Sequence, residues 1–199
     1  MKDLIRHFMR YPENLTGLRN CHAKGVDSIL LDAPNTKFRV FIANTWHDLW
    51  KNSASQNEIM SVGFHNHHCD VELIHLNGTV YNIGFTDIKS GDTYLVYDYK
   101  SKINSKYLNG NFILQSNKCN IIEQITRIDK SLFLDAFRFH TISVPFGTSA
   151  SWLVIEGKEN PDYKPITISN NPNLESETFE GYYEKINSEE FLKKLEEIL

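Results

Sequence analysis

Cysteine is scarce in this 199-residue chain, with only 3. Cys21, Cys69 and Cys119 lie far apart and form no CxxC pair, which argues against a disulfide framework or a zinc ribbon. Positive charge is not in excess either. The formal net charge is −4, so the chain lacks the basic footprint of a nucleic-acid-binding protein and no nucleic-acid partner is expected. No run approaches the roughly 18 apolar residues that a spanning helix needs, so no membrane role is expected. The opening MKDLIRHFMRY is charged throughout and is not a secretory signal. GxSxG, phosphate-loop and GxGxxG motifs are all missing. What remains is a chain with 41% hydrophobic and 23% charged residues, ordinary for a folded soluble domain. The expectation is a cytoplasmic protein with reduced thiols, long enough to bury a core without staples.

The elements read as follows. Leu4, Ile5, Phe8 and Met9 recur at helical spacing over residues 2–11, and Pro12 ends the segment. Residues 13–36 look irregular, with turns at Gly17, Gly25 and Ala33-Pro34-Asn35. FRVFIAN (38–44) reads as a strand, and WHDLWKN (46–52) as a short helix capped by Thr45. From 59 to 156 the chain is strand after strand: 59–68, 70–76, 79–86, 93–100, 111–115, 120–128, 136–144 and 149–156. Turns are expected at Asn77-Gly78, a strong hairpin cue, and at Ser90-Gly91-Asp92, Asn109-Gly110 and Pro145-Phe146-Gly147. Many short strands at near-even spacing indicate an all-β sandwich or barrel. Residues 160–178 read as loop or edge. Ser188 then caps an amphipathic helix whose stripe is Phe191, Leu192, Leu195, Ile198 and Leu199, expected to pack on its own barrel.

Four of the 8 histidines crowd into GFHNHHCDVELIHLNG (63–78). Side chains alternate along a strand, so His65 and His67 share a face and His68 points away. Two imidazoles at i and i+2 converge across about 7 Å of strand and can chelate one ion. A first-row divalent metal then needs further N or O ligands. Glu72 supplies one if the strand bulges after His67. His140 lies mid-strand, between Phe139 and Thr141. Burying it without a partner would cost about 1–3 kcal/mol. Metal ligation and a hydrogen bond to a core neighbour both answer that cost. His68 and His75 read as bystanders or as groups orienting a ligand, and His7, His22 and His47 show no pattern.

Two other site readings compete. His68-Cys69-Asp70 with His140 has the HxD form of the 2-oxoglutarate oxygenases, but strand parity separates His68 and Asp70 from His65 and His67. The basic residue such enzymes place after the distal histidine is missing from GTSASW. Three histidines with one open position also suit hydrolytic zinc, although no dedicated general base lies nearby apart from Glu72. Cys69 beside a histidine does not make a nucleophilic dyad.

His65-Asn66-His67, four residues, Glu72, five residues and Gly78 resemble the first motif of the cupin superfamily, with the last gap one residue short. His140, Pro145 and Gly147 resemble the setting of its third metal histidine, without the usual PxGxxH order. FHTISV followed by SASWLVIEG is similar to the cysteine-dioxygenase-like branch. The resemblance covers roughly residues 59–157. It implies an all-β, cupin-like double-stranded β-helix or jelly-roll barrel at 37–158. A helical or irregular segment (1–36) would pack on that barrel, and a loop and C-terminal helix (159–199) would follow it. It also implies one divalent metal ion on His65, His67, Glu72 and His140. Fe(II) is the expected metal, with zinc, nickel and manganese as alternatives. The expected function is a dioxygenase acting on a small-molecule substrate, and the expected assembly a homodimer. A non-redox isomerase or lyase, and a binding module without catalysis, are the alternatives. Phe64, Tyr81, Tyr94, Phe137 and Trp152 are available to line the cavity, with Tyr81 as the catalytic polar group. Where the thiol dioxygenases of animals carry a cysteine this chain has Glu72, so no cysteine–tyrosine cross-link is expected. Arg39 is the nearest candidate for a carboxylate clamp.

Overall fold

The computed structural model describes residues 2–22, 25–33, 36–44, 64–101, 110–145, 147–169, 172 and 183–199. Helix α1 (Lys2–Met9) leads into β1 (Leu15–Arg19), β2 (Val26–Ala33) and β3 (Thr36–Asn44). Next come β4 (Phe64–His65), β5 (Val71–Asn77), β6 (Tyr81–Ser101), β7 (Gly110–Arg127) and β8 (Ser131–Leu134). The chain finishes with β9 (His140–Ser143), β10 (Ser149–Glu156), β11 (Ile166–Ser169), β12 (Glu184–Ile186) and helix α2 (Ser188–Ile198).

Two antiparallel sheets face each other, ordered β12-β1-β2-β3-β10-β5-β8 and β11-β4-β9-β6-β7. Consider β3 to β10 as eight consecutive strands. The first, eighth, third and sixth make one sheet, and the second, seventh, fourth and fifth make the other. That order is a jelly roll, the double Greek key that wraps two sheets around one interior. The expected all-β barrel is therefore the observed fold. β1, β2 and β12 widen the larger sheet beyond it.

Burial on both faces explains the apolar run in β10. Ala150, Trp152 and Val154 face the barrel interior beside Phe41, Val71 and Leu73. Leu153 faces outward, onto Val40 of β3, Ile5 of α1, and Phe191 and Leu195 of α2. A strand covered on both sides loses the polar alternation of a half-exposed one.

Several expected boundaries move. Residues 13–36 are not irregular: β1 and β2 pair in register, from Leu15 opposite Leu31 to Leu18 opposite Ser28. Gly17 is mid-strand rather than a turn. A Cβ there would lie 1.2 Å from the Phe191 ring, so the absent side chain is the seat for α2. Asn77-Gly78 does not close a hairpin, because β5 pairs with β10 and β8 while β6 belongs to the other sheet. Gly78, at φ +74°, instead turns the chain between sheets where a Cβ would strike Ser149 O at 2.2 Å. The turn expected at Ser90-Gly91-Asp92 is an irregularity within the long β6, where Asp87 and Asp92 both pair with Ile121. Asn187, not Ser188, caps α2, its side chain accepting from Glu190 N; the third residue of the first turn is the one a cap reaches. The short helix expected at 46–52 lies outside the described residues.

Gly17→Ala should lower unfolding free energy by about 1–3 kcal/mol, the cost of overpacking a filled site. In a Phe191→Ala background the same change should cost much less, because the two side chains compete for one volume. Urea denaturation of the four proteins in that cycle checks it.

Candidate metal centre

The connection between β4 and β5 builds the centre. His65 sits directly opposite His140 in the β4–β9 ladder. His67 follows two residues later, held by its backbone N–H to Ala136 O at 3.4 Å. Between them, buried Asn66 is locked to β11: its side-chain oxygen accepts from Ile166 N at 2.6 Å, and its own N–H donates to Ile166 O at 3.2 Å. This clamp fixes the HxH pair. The three imidazole centroids lie 5.0–5.2 Å apart. One ring nitrogen from each falls within 4.8 Å of the other two. Among the described residues, this is the group of His, Cys, Asp and Glu side chains positioned to share an ion.

The donors fit a metal. His140 Nδ1 lies 2.8 Å from Asn82 Oδ1, and the imidazole donates because the amide oxygen can only accept. That bond puts the proton on Nδ1 and leaves the Nε2 lone pair aimed at His67 Nε2, 2.8 Å away. Two nitrogens each about 2.1 Å from one ion and at right angles to each other would be separated by about 3 Å. A histidine whose other nitrogen is held by an outer partner is the usual arrangement at metal sites. Burial is the largest cause pushing both His67 and His140 well below the ordinary histidine range, and neighbouring imidazoles add to it. Both rings are therefore neutral, the form that ligates.

His68 stays out of the histidine cluster, donating through Nδ1 to Tyr163 O at 3.0 Å. Asp70 is engaged at Ala136 N, 2.9 Å away. The HxD alternative thus has neither member in the cluster.

Two expected residues are elsewhere. Glu72 lies on β5 opposite Phe133 of β8, a ring 65% exposed, while its neighbours Val71 and Leu73 face the interior. The chain leaves one sheet after His65 and enters the other at Val71, so the parity carried forward from His67 is lost. The group is three histidines without Glu72. Tyr81 begins β6, half-buried, and its neighbour Asn82 is the one facing inward to His140. The polar residue after the hairpin cue was the right kind at the wrong parity.

The histidines open onto a cavity of about 410 Å³ inside the barrel. Its opposite wall is the inner face of the larger sheet, where Phe41 and Trp152 stack at 5.2 Å and 9°. Trp152 lines it as expected. Tyr94 packs in a separate cluster with Val96 and Ile168, and Phe137 is 64% exposed; the Phe64 side chain lies outside the described set.

His22 and Tyr183 also line the cavity. His22 stacks on His65 at 5.5 Å and 20°. Its Nδ1 is 2.9 Å from the Tyr183 hydroxyl. Both have left-handed backbones, φ 70° and 55°, strained for non-glycine residues. Nothing in the sequence around His22 marks it, because its place depends on a turn conformation and not on strand periodicity. Burial, then the charge of Arg39, pushes its pKa down to about 4, with Glu156 opposing.

The sequence matches no protein-family model and no curated protein. Among solved structures it is similar to hydroxypropylphosphonic acid epoxidase from S. wedmorenis. The identity is 14% and the TM-score 0.40, over 73% of this chain and 56% of that one. The Fe(II) form of HppE gives 13% and 0.39, over 73% and 57%. The chain therefore spans little more than half the length of the structures it matches.

Two outcomes follow from this geometry. Asn82→Ala should weaken metal binding about 10–100-fold by releasing the His140 tautomer, read by competition against a chelating dye. In chelator-treated protein, stability should fall as pH drops below about 6.5. The unfolded chain takes up protons that folded His22, His67 and His140 refuse, so it binds more protons and gains from acid. For His22 alone the loss at pH 5 is about 2 kcal/mol. His22→Gln should flatten the pH dependence of the melting temperature.

Proposed function

We propose that the protein is a metal-dependent enzyme of the cupin type, holding one divalent ion on His65, His67 and His140 and acting on a small molecule within the barrel. The observation that carries this reading is the convergence of three imidazoles, those of His67 and His140 held neutral by burial, on the wall of a mainly apolar cavity, with the His140 tautomer set by Asn82. Our reading of the metal is Fe(II) and of the activity a dioxygenase. When bound, such an ion would bring oxygen and substrate together. The chain's own part is separable from that chemistry. Asn66 and Asn82 keep the donor nitrogens in place. Apolar side chains such as Leu73, Val144 and Val154 line the cavity and limit the water that reaches it. The Phe41–Trp152 stack gives a flat apolar surface for a substrate to lie on.

A second reading is a non-redox enzyme using zinc, nickel or manganese. Its support is the ligand set itself, because three histidines without a carboxylate suit zinc with an open position. The likeness to the cysteine-dioxygenase-like branch rests on sequence pattern alone. A homodimer and a cytoplasmic location remain part of the proposal.

Metal content by plasma mass spectrometry, on protein purified without a metal-binding tag, tests the reading. Near-stoichiometric iron in wild type, lost in His65→Ala and His140→Ala but retained in Glu72→Gln, is the expected result, with oxygen uptake to follow. Stoichiometric zinc, nickel or manganese would move the function to the second reading. Wild type that is metal-free and cannot be reloaded would overturn both.

A further inference from the structure

An open sheet edge exposes a row of backbone N–H and C=O groups that can pair with another strand. Among the described strands, the larger sheet ends at β12 and β8, and the smaller one at β7. β12 has 3 residues and β8 has 4, short enough to template little. β7 has 18 residues and pairs along one side with β6. Its last stretch, Gln124–Arg127, runs in unbroken register against Tyr81–Gly84. The usual guards against edge pairing are lysine, proline and a bulge, and this stretch has none of them.

All four residues of that stretch are exposed, on both faces of the strand. Thr126 lies opposite Asn82, whose side chain faces inward to His140, and Ile125 lies opposite Ile83. Ile125 therefore stands on the outer face, where it is 67% exposed. Ile83 beside it packs against the buried Tyr94, Val96 and Ile168. A branched apolar residue on a bare edge, next to a covered cluster, is the kind of surface that strand addition buries.

The residues of the edge select its partner. A second copy related by a twofold axis normal to the sheet brings β7 antiparallel to itself, and outward residues then meet outward ones. Such an axis passes through one residue position. Centred on Ile125, it sets Ile125 against its own counterpart, Gln124 against Thr126, and Arg127 at the register position opposite Glu123. Each is a favourable cross-strand pair: apolar with apolar, two hydrogen-bonding side chains, and opposite charges on either side of the axis. Centred on Gln124 or on Thr126 instead, the axis would set Ile125 against Glu123 or against Arg127, and no opposite charges would meet. Arg127 Nε lies 3.0 Å from Asp129 Oδ1, with both side chains more than half exposed. An ion pair so exposed contributes little, and the rest of the guanidinium fork stays available to a second carboxylate.

We propose that the protein forms a twofold dimer by antiparallel addition of β7 to β7 of a second copy, centred on Ile125, which joins their two smaller sheets into one. This gives the homodimer reading an interface, and it rests on that reading and not on the metal. The same pairing closes the edge in both copies, so the assembly stops at two.

Light scattering during gel filtration of the full-length protein should give twice the mass of one chain. In a Cys119→Ser background, Ile125→Cys should form a disulfide-linked dimer on mild oxidation, since each new thiol faces its counterpart. Arg127→Cys, which faces Glu123 instead, should not. Arg127→Glu should weaken dimerisation about tenfold or more, because it turns two attractive pairs into repulsive ones. Glu123→Arg combined with Arg127→Glu should restore it. His140→Ala should lose metal yet remain dimeric, so this inference and the enzyme reading fail separately. A dimer that neither cross-links through Ile125→Cys nor responds to Arg127→Glu would overturn this interface while leaving a homodimer. A monomeric wild type would overturn both.

Discussion

Everything in this molecule rests on the larger sheet being covered on both faces. β3 and β10 sit at its centre, with the barrel interior on one side and the two terminal helices on the other. Removing about 25 cal/mol per Å2 of apolar surface from water on two faces makes this layer the rigid one. The smaller sheet and its short β4 are then free to carry polar groups. A two-residue strand bearing His65 contributes little to its own stability. It is held by its neighbours β9 and β11 and by the Asn66 clamp, so the cost of a polar centre is met by an apolar platform across the cavity.

Legibility of the sequence followed the range of the interactions. His65, His67 and His140 were readable because the HxH spacing is local and because a buried histidine needs a partner, although the strand expected at 136–144 begins only at His140 and β4 ends at His65. The jelly roll was readable as a count of short strands, although which strands pair was not. Asn77-Gly78 carries the chemistry of a hairpin turn, yet it serves a crossing between sheets, since the same left-handed glycine turns a chain in either case. Glu72 and Tyr81 were misplaced for one reason: parity does not survive a passage from one sheet to the other. His22 and Tyr183 were out of reach, for they come from segments outside the eight-strand core and enter the cavity through strained turns that no periodicity announces.

Charge is distributed within the cavity in a way that composition hides. The net charge of −4 is a sum over the whole chain. Inside, burial keeps His22, His67 and His140 neutral, while Arg39 and Glu156 line the same cavity. A low-dielectric interior magnifies both effects: it suppresses protonation where ligands are needed and strengthens whatever contact is made to Arg39 and Glu156.

The pairing of β1 with β12, reinforced by Arg19 and Glu190 at 2.6 Å and 171 positions apart, has a consequence for the birth of the molecule. The seat that Gly17 offers to Phe191 stays empty until Phe191 itself has left the ribosome. Contacts of such long range fold slowly, and the outer face of β1 stays bare until α2 has been made. Nascent chains of this protein are thus natural clients for chaperones that shield apolar surface.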